Sequence, residues 1–462
     1  MNSPTSTHTK RYRRESNRRL HSSRASLRLG MILLLALLAT PAVLAQDVAD
    51  TIKIRTRVVF MDALVKDKRT GTPISDLKPD NFELFDDGKP RTISYFNSEG
   101  QARKPLALIL ILDLRDDGAG RFLKQPEVRA AIVDELAKLP AGDEVAILAI
   151  NLNSVDDKTA AIRNGKAMWL TEFTRDRVQL ETALARIPAL VAPAPESDKN
   201  AADKHDPNSP NRESSGSLSV SSDTDKSQPA EAAAAKPKEN DVLETETIKG
   251  KNGATITRTI KKDGSVDVKR VSSNGKVTID LNNIYDMAGA TRDATHLVEE
   301  KRPNSQAAIV WLSDGIAPVF KEDVGATEQI LIRQNAIFNT LNVDMRTLYK
   351  FLLPFGQPLI GWTGISLAGS AKQLAQQSGG ETVHVSRVKD YGSGLARVIG
   401  NLNARYSLGF ALSEDERDDG RLHELVLRVK AVDAKGKQKR LEVSSRRGYY
   451  MPKTETAEAS VK

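Results

Sequence analysis

Pro105-Leu106-Ala107-Leu108-Ile109-Leu110-Ile111-Leu112-Asp113 is an uncharged run that ends on an acid. A strand that is apolar at every position has no polar face, as expected where both sides are buried in a parallel sheet. Outward from this run, Glu127–Leu139 places Val128, Ile132, Val133, Leu136 and Leu139 at helical spacing. Glu144–Asn151 reads as a second apolar strand and Ala167–Phe173 as a shorter one. Val178–Ile187 reads as a helix with Thr174 or Asp176 as its cap. Beyond residue 280 the alternation resumes, with helices at Ile284–Glu300, Glu328–Leu341, Ser370–Ser378 and Leu395–Asn403. Strands are expected at Ala307–Ser313, Val343–Tyr349 and Thr382–Val385. Strands alternating with helices predict an α/β fold: a doubly wound, mostly parallel sheet covered on both faces. In such sheets a ligand site lies beyond the carboxyl ends of the strands.

Two flanks depart from that pattern. Thr51–Val65 and Phe82–Phe96 on one side, and Tyr406–Leu412, Leu422–Val432 and Lys439–Ser445 on the other, are strand-like and separated by Gly-containing turns. Each flank is too small to hold a core alone, so the two are expected to complete one β-sandwich. Within the α/β pattern, residues 191–244 are rich in Ala, Pro, Ser, Asp, Lys and Asn, and read as a disordered linker. Next, Asn252-Gly253, Asp263-Gly264 and Asn274-Gly275 recur every 11 residues between Thr-, Val- and Ile-rich stretches. Asn-Gly and Asp-Gly suit tight hairpin turns, so 245–280 reads as a β-meander insertion of about four strands. The resulting division is 1–45, 46–103 (β), 104–190 (α/β), 191–244, 245–280, 281–403 (α/β), 404–452 (β) and a disordered tail at 453–462.

The chain has 462 residues and a formal net charge of +8. Residues 1–45 hold eight basic side chains and one acid, so the remainder is nearly neutral. A neutral body has no phosphate-neutralising surface, which argues against nucleic acid as a partner. The basic head precedes an uncharged stretch, Leu29–Leu38, and the small residues Val43 and Ala45. This is the pattern of a secretory signal cleaved after Ala45. The apolar stretch is shorter than the ~20 residues that span a bilayer. Export to the periplasm or the cell exterior is expected, with no transmembrane segment after cleavage. The absence of cysteine excludes disulfides, thiol nucleophiles and Cys-ligated metals.

The strand ending at Asp113 and the later Ile309-Val310-Trp311-Leu312-Ser313-Asp314-Gly315 resemble von Willebrand factor A-type (VWA) domains, which have a Rossmann-like sheet. Leu139-Pro140-Ala141-Gly142-Asp143-Glu144-Val145, Phe173-Thr174-Arg175-Asp176 and Ile284-Tyr285-Asp286 are similar to further stretches of that family. The flanks, through Asp80-Asn81-Phe82-Glu83-Leu84-Phe85-Asp86-Asp87-Gly88, Arg405-Tyr406-Ser407-Leu408-Gly409-Phe410 and Arg447-Gly448-Tyr449-Tyr450, resemble acidobacterial VWFA-related secreted proteins.

The resemblance implies a metal-ion-dependent adhesion site, where hydroxyls and carboxylates from three loops hold Mg²⁺ or Mn²⁺ and a partner's carboxylate completes the shell. Carried across, the metal set is Asp113, Asp117, Asn282 and Asp314, with Arg115 standing where the family has its first Ser. That set is degenerate. In one arrangement the Arg115 guanidinium takes the place of the ion and pairs with Asp113 or Asp314. In another, Arg115 swings outward and the four residues ligate a remodelled site. In the plainest, Asp314-Gly315 is only a turn and Asp113 caps the next helix.

Catalytic patterns are not evident. The six histidines are scattered, no phosphate-binding Gly-rich loop occurs, and Gly364-Ile365-Ser366-Leu367-Ala368-Gly369 is out of register for a nucleophile elbow. It reads as a loop before the helix at 370. The expectation is a non-catalytic module that binds another extracytoplasmic protein or a cell-surface component. The competing reading is an envelope structural or assembly factor that acts through the β flanks and the meander.

Overall fold

The computed structural model describes residues 57–98, 104–115, 119–150, 167–191, 217–222, 241–262, 266–282, 286–343, 365–433 and 435–451. The signal read at 1–45, the tail at 453–462 and Asp117 lie outside them. The N-terminal flank forms β1 (Val58–Asp67), β2 (Phe82–Asp86), β3 (Lys89–Arg91) and β4 (Tyr95–Asn97). The apolar run is β5 (Leu106–Asp113), followed by α1 (Pro126–Leu136), β6 (Glu144–Ile150), β7 (Met168–Thr174) and α2 (Arg177–Ala185). The insertion contributes β8 (Ser217–Ser222), β9 (Val242–Lys249), β10 (Thr255–Lys261), β11 (Val266–Val271) and β12 (Val277–Asn282). Next come α3 (Met287–Lys301), β13 (Gln306–Ser313), β14 (Ile316–Phe320), α4 (Lys321–Arg333), β15 (Ile337–Val343) and β16 (Ile365–Ala368). The chain continues through α5 (Ser370–Ser378), β17 (Thr382–Val385), α6 (Tyr391–Asn403), β18 (Tyr406–Ala411), β19 (Leu422–Val429), β20 (Leu441–Ser445) and β21 (Gly448–Tyr450).

β5 lies inside a six-stranded sheet of order β17-β15-β13-β5-β6-β7. Every residue of β5 is buried because its alternate side chains enter two different cores. Leu106, Leu108, Leu110 and Leu112 pack with Val128 and Ile132 of α1, Leu180 and Leu184 of α2, and Leu395 and Val398 of α6. Ala107, Ile109 and Ile111 join Met287 and Ala294 of α3, Leu331 of α4, Leu374 of α5 and Trp311 on the other side. Local signals fix the connections. Pro126 opens α1 where its missing N–H costs nothing, and Asp176 caps α2 by accepting from Val178 N at 2.9 Å. The Asp143 carboxylate accepts from Leu106 N at 2.9 Å and ties the turn before β6 to the start of β5.

A doubly wound, mostly parallel α/β sheet does not describe this chain, which corrects the fold class expected from sequence. Among the described residues four strand pairings are parallel, all within the six-stranded sheet. Twelve are antiparallel. About 29% of the described residues are helical. The six-stranded sheet is itself mixed, because β7 returns antiparallel to β6. A strand's direction depends on its partner and connection, neither of which its own residues encode. A further shift falls at residues 337–343. The apolar pattern read there as helix is the buried strand β15, and the preceding helix, α4, begins earlier than expected, at Lys321.

The two flanks form four-stranded antiparallel sheets of order β20-β1-β18-β4 and β21-β19-β2-β3. Met61, Ala63, Val65, Phe82, Leu84, Tyr406, Leu408, Phe410, Leu425 and Tyr449 from both flanks share one core. The sandwich is fastened to the six-stranded region by buried arginines. Arg405 Nη2 donates to Gly379 O at 2.7 Å, just past α5, and Arg446 Nη1 donates to Ile332 O at 3.1 Å near the end of α4. Both guanidiniums therefore sit at the negative ends of helix dipoles, which offsets part of the cost of their burial.

Acid is expected to loosen the sandwich. Hydrogen bonding from Arg91, opposed by burial and assisted by Ser413, lowers the Glu416 carboxyl from 4.5 to about 2. A carboxylate with a depressed folded pKa contributes stability above its unfolded value, and this is lost as pH falls through the folded one. The melting temperature should fall between pH 4.5 and about 2, and fall less steeply in Glu416→Gln. Equal slopes in the two proteins would contradict this.

Candidate functional site: a guanidinium between two carboxylates

β5 and β13 are adjacent and parallel, so Asp113 and the Ser313-Asp314 turn emerge side by side at their carboxyl ends. Arg115 folds back between them. Its Nε and Nη2 donate to Asp113 Oδ1 and Oδ2 at 2.9 and 2.6 Å, and Nη2 also donates to Asp314 Oδ1 at 2.8 Å. The Arg115 backbone N–H donates to Asp113 Oδ1 at 3.1 Å. Ser313 Oγ donates to Asp113 Oδ2 at 2.8 Å and lies 3.3 Å from Asp314 Oδ1, while Gly315 N donates to Ser313 Oγ at 3.2 Å. Gly315 turns at φ +86°, a conformation that glycine adopts without strain. Asp113 and Ser313 are fully buried, and the Arg115 side chain is 11% exposed.

Arg115 thus turns inward and pairs with both Asp113 and Asp314, rather than swinging outward. Mg²⁺ or Mn²⁺ does not fit the group as folded. Both Asp113 oxygens and Asp314 Oδ1 already accept hydrogen bonds, and a cation fills the gap where another cation would sit. Two charges ~4 Å apart repel by roughly 4 kcal/mol at an effective dielectric of 20. Asn282, the fourth residue of the expected set, ends β12 and pairs with Ser217 in the insertion sheet. Tyr391, at the start of α6, has a buried hydroxyl with no hydrogen-bond partner among the described residues. Burial, then the Asp113 and Asp314 charges, push its phenol well above its ordinary range, so it stays protonated.

Beside this group, the insertion packs on the helical layer and is joined to it by buried ion pairs. It forms a five-stranded antiparallel sheet, β8-β12-β11-β10-β9, and β8 comes from the tract read as linker. Its inward residues Ile256, Ile260, Val266, Val268 and Ile279 pack on Phe320, the last residue of β14, which follows Asp314-Gly315. Arg258 is fully buried among them. Arg258 bridges to Asp323 at 2.8 Å, to the Asp286 carboxylate that caps α3, and to Glu246 at 3.3 Å. Arg292 of α3 donates to Asp323 at 2.7 Å, Thr327 at 2.9 Å and Glu246 at 2.8 Å. Arg270 and Asn252 both donate to Glu322, at 2.8 and 2.9 Å. Burial alone would raise the Asp323 carboxyl, but Arg258 and Arg292 hold it below its ordinary value.

The sequence reading had singled out Asp113, Arg115 and Asp314, which the fold brings together. It had not singled out Ser313, Tyr391 or the Arg258 network. The signal for Arg258 is its inward position between Ile256 and Ile260 in an alternating strand, where a charge requires a buried partner. Another missed group joins Asp86, Asp87 and His423, whose ligand-type atoms lie within 4.8 Å of one another. His423 Nδ1 is 3.0 Å from Asp87 and Nε2 is 3.2 Å from Asp419, with its ring stacked on Tyr449. Both ring nitrogens are thus taken by carboxylates. Ser366 lies in β16 rather than at a strand-to-helix elbow. No helix among the described residues is long and apolar enough to cross a membrane.

No family model matches the chain, and no curated protein matches it. Solved structures similar to it include three N-terminal domains of the type V pili tip protein Mfa5 from Porphyromonas gingivalis. That likeness is 9% identical over 57% of this chain and 27% of that one, with a TM-score of 0.20. Two forms of the pilus adhesin SpaC from Lactobacillus rhamnosus GG are also similar. The first is 6% identical with a TM-score of 0.34, and the open conformation is 7% identical with a TM-score of 0.31. Each covers 82% of this chain and 49% of the adhesin, so the chain spans less than half the length of these matches.

Proposed function

We propose that this chain is an exported, non-catalytic protein-interaction module of the kind its VWA resemblance implies, with Arg115 as a built-in substitute for the metal ion. The observation that carries this reading is the guanidinium seated between Asp113 and Asp314. The guanidinium offsets one of the two carboxylate charges, fills the gap between them and offers no metal position to a partner's carboxylate. Recognition then shifts to the insertion, whose inward face is fixed by Phe320 and the Arg258 network. Its outward face presents Thr255, Thr257 and Thr259 of β10 opposite Val271, Lys269 and Asp267 of β11. A rigid sheet loses little entropy on binding, which favours it as the contact surface for another extracytoplasmic protein or cell-surface component.

A photo-crosslinking residue at position 257 or 269, in the chain expressed in its own envelope, should give one discrete adduct. The same residue at 138, beyond α1, should give none. Adducts of equal yield at all three positions would contradict the assignment of the insertion as the binding surface.

A further inference from the structure

A second opening, remote in sequence from the insertion, lies where the sandwich meets α5 and β17. It is a cleft of about 640 Å³, lined by Glu424–Leu427 of β19, Glu442–Ser445 of β20, and Lys66, Lys372, Glu381, Arg397 and Arg447. Its volume falls within the roughly 300–1,000 Å³ usual for ligand sites, which favour junctions between structural units. Two features of its walls point to one class of occupant.

Both strand walls have an unpaired side. β20 pairs with β1 and is an edge of its sheet; among the described residues its other side is met only just past its end, where Arg446 bridges to Ser378. β19 bonds to β2 along Leu425–Val429, but on its other side β21 covers only Leu422–Glu424, and Leu425 N then donates to Arg447 O. From Val426 to Val429 that side has no backbone partner among the described residues, and pairing resumes only in the hairpin, where Lys439 N donates to Ala431 O. The two strands are joined in a hairpin and diverge into different sheets, leaving the cleft between them. An unpaired edge beside an open cleft is a template for an added strand.

The charges are unequal. Lys66 is buried and paired with Glu381 and, at 3.6 Å, with Glu442. Exposed Lys372, Arg397 and Arg447 form no ion pair among the described residues, and Glu424 is the one remaining acid in the lining. The cleft thus offers backbone pairing together with three uncommitted cations.

We infer that this cleft is a docking groove for an extended acidic peptide segment of a partner protein, which adds as a strand to β19 or β20. Acids at alternate positions of an extended chain lie ~6.7 Å apart on one face and would meet Lys372, Arg397 and Arg447. This site is separate from the insertion surface, and either can fail without the other.

The test is selection of displayed eight-residue peptides on the full chain. Selected peptides should be enriched in Asp or Glu at alternate positions. One of them, made synthetically, should bind the Lys372→Ala/Arg397→Ala/Arg447→Ala variant at least tenfold more weakly. The three side chains are exposed, so the variant should keep the parent melting temperature. N-methylation of alternate peptide amides should abolish binding, because it removes the donors that strand addition needs. The inference is overturned if no acidic enrichment occurs, if the triple variant binds equally well, or if the N-methylated peptide binds unchanged. Polygalacturonate binding the parent but not the triple variant, with no peptide selected, would overturn it in favour of an acidic saccharide.

Discussion

Arg258→Met is expected to destabilise the chain by about 3–5 kcal/mol and to free the insertion sheet from α3 and α4, because removing one member of a buried ion group strands the others. Arg258 is fully buried, and its guanidinium faces Asp286 and Asp323, each almost wholly buried, as well as Glu246. In its absence Arg292 alone would have to balance three acids. Asp286 would also lose the partner that holds it beside the first turn of α3, where it accepts from Gly289 N at 2.9 Å. The readouts are the denaturation midpoint and amide exchange of β10, which should become fast at denaturant concentrations where β5 stays protected. Adding Asp286→Asn and Asp323→Asn should recover part of the loss, since uncharged amides are cheaper to leave unpaired. A loss below about 1 kcal/mol would mean that the insertion is held by packing on Phe320 and by the Arg292–Glu246 and Arg270–Glu322 pairs, with little contribution from Arg258.

Arg115→Ser carries the second large effect, and its sign depends on the medium. In chelator, Asp113 and Asp314 would face each other across Ser313 with no cation between them, at a cost on the order of 3 kcal/mol. The substitution also opens the gap and adds a hydroxyl. Two carboxylates and two hydroxyls around one gap are a hard-oxygen set of the kind Mg²⁺ and Mn²⁺ take. Millimolar Mg²⁺ should therefore raise the melting temperature of the variant and leave the parent unchanged, since only a ligand that binds the folded state stabilises it. A variant as stable as the parent in chelator would show that the guanidinium contributes little to holding the two strand ends together.

The legible parts of this fold are those in which residues carry their own environment. The run Leu106–Leu112 announces burial on both faces because no position is polar, and the structure places it inside the six-stranded sheet. The misreadings fall where a partner decides. Met168–Thr174 looks like any short strand, yet its antiparallel pairing makes the sheet mixed. Together with the flanks and the insertion, such pairings make the chain predominantly antiparallel. Ser217–Ser222 has little apolar content and becomes a strand only through pairing with Val277–Asn282. At the site, Arg115 was conspicuous because a permanent cation two residues after Asp113 must either leave or pair. Arg258 was overlooked, although a charge at an inward β position makes the same demand.

The most direct measurement is calorimetric titration of Mg²⁺ and Mn²⁺ into chelator-treated parent protein and into Arg115→Ser. With the guanidinium in the cation's place, the parent should show no stoichiometric heat and the variant should bind about one ion. Stoichiometric binding by the parent would mean that Arg115 leaves the gap in solution, and would contradict a metal-free interaction module.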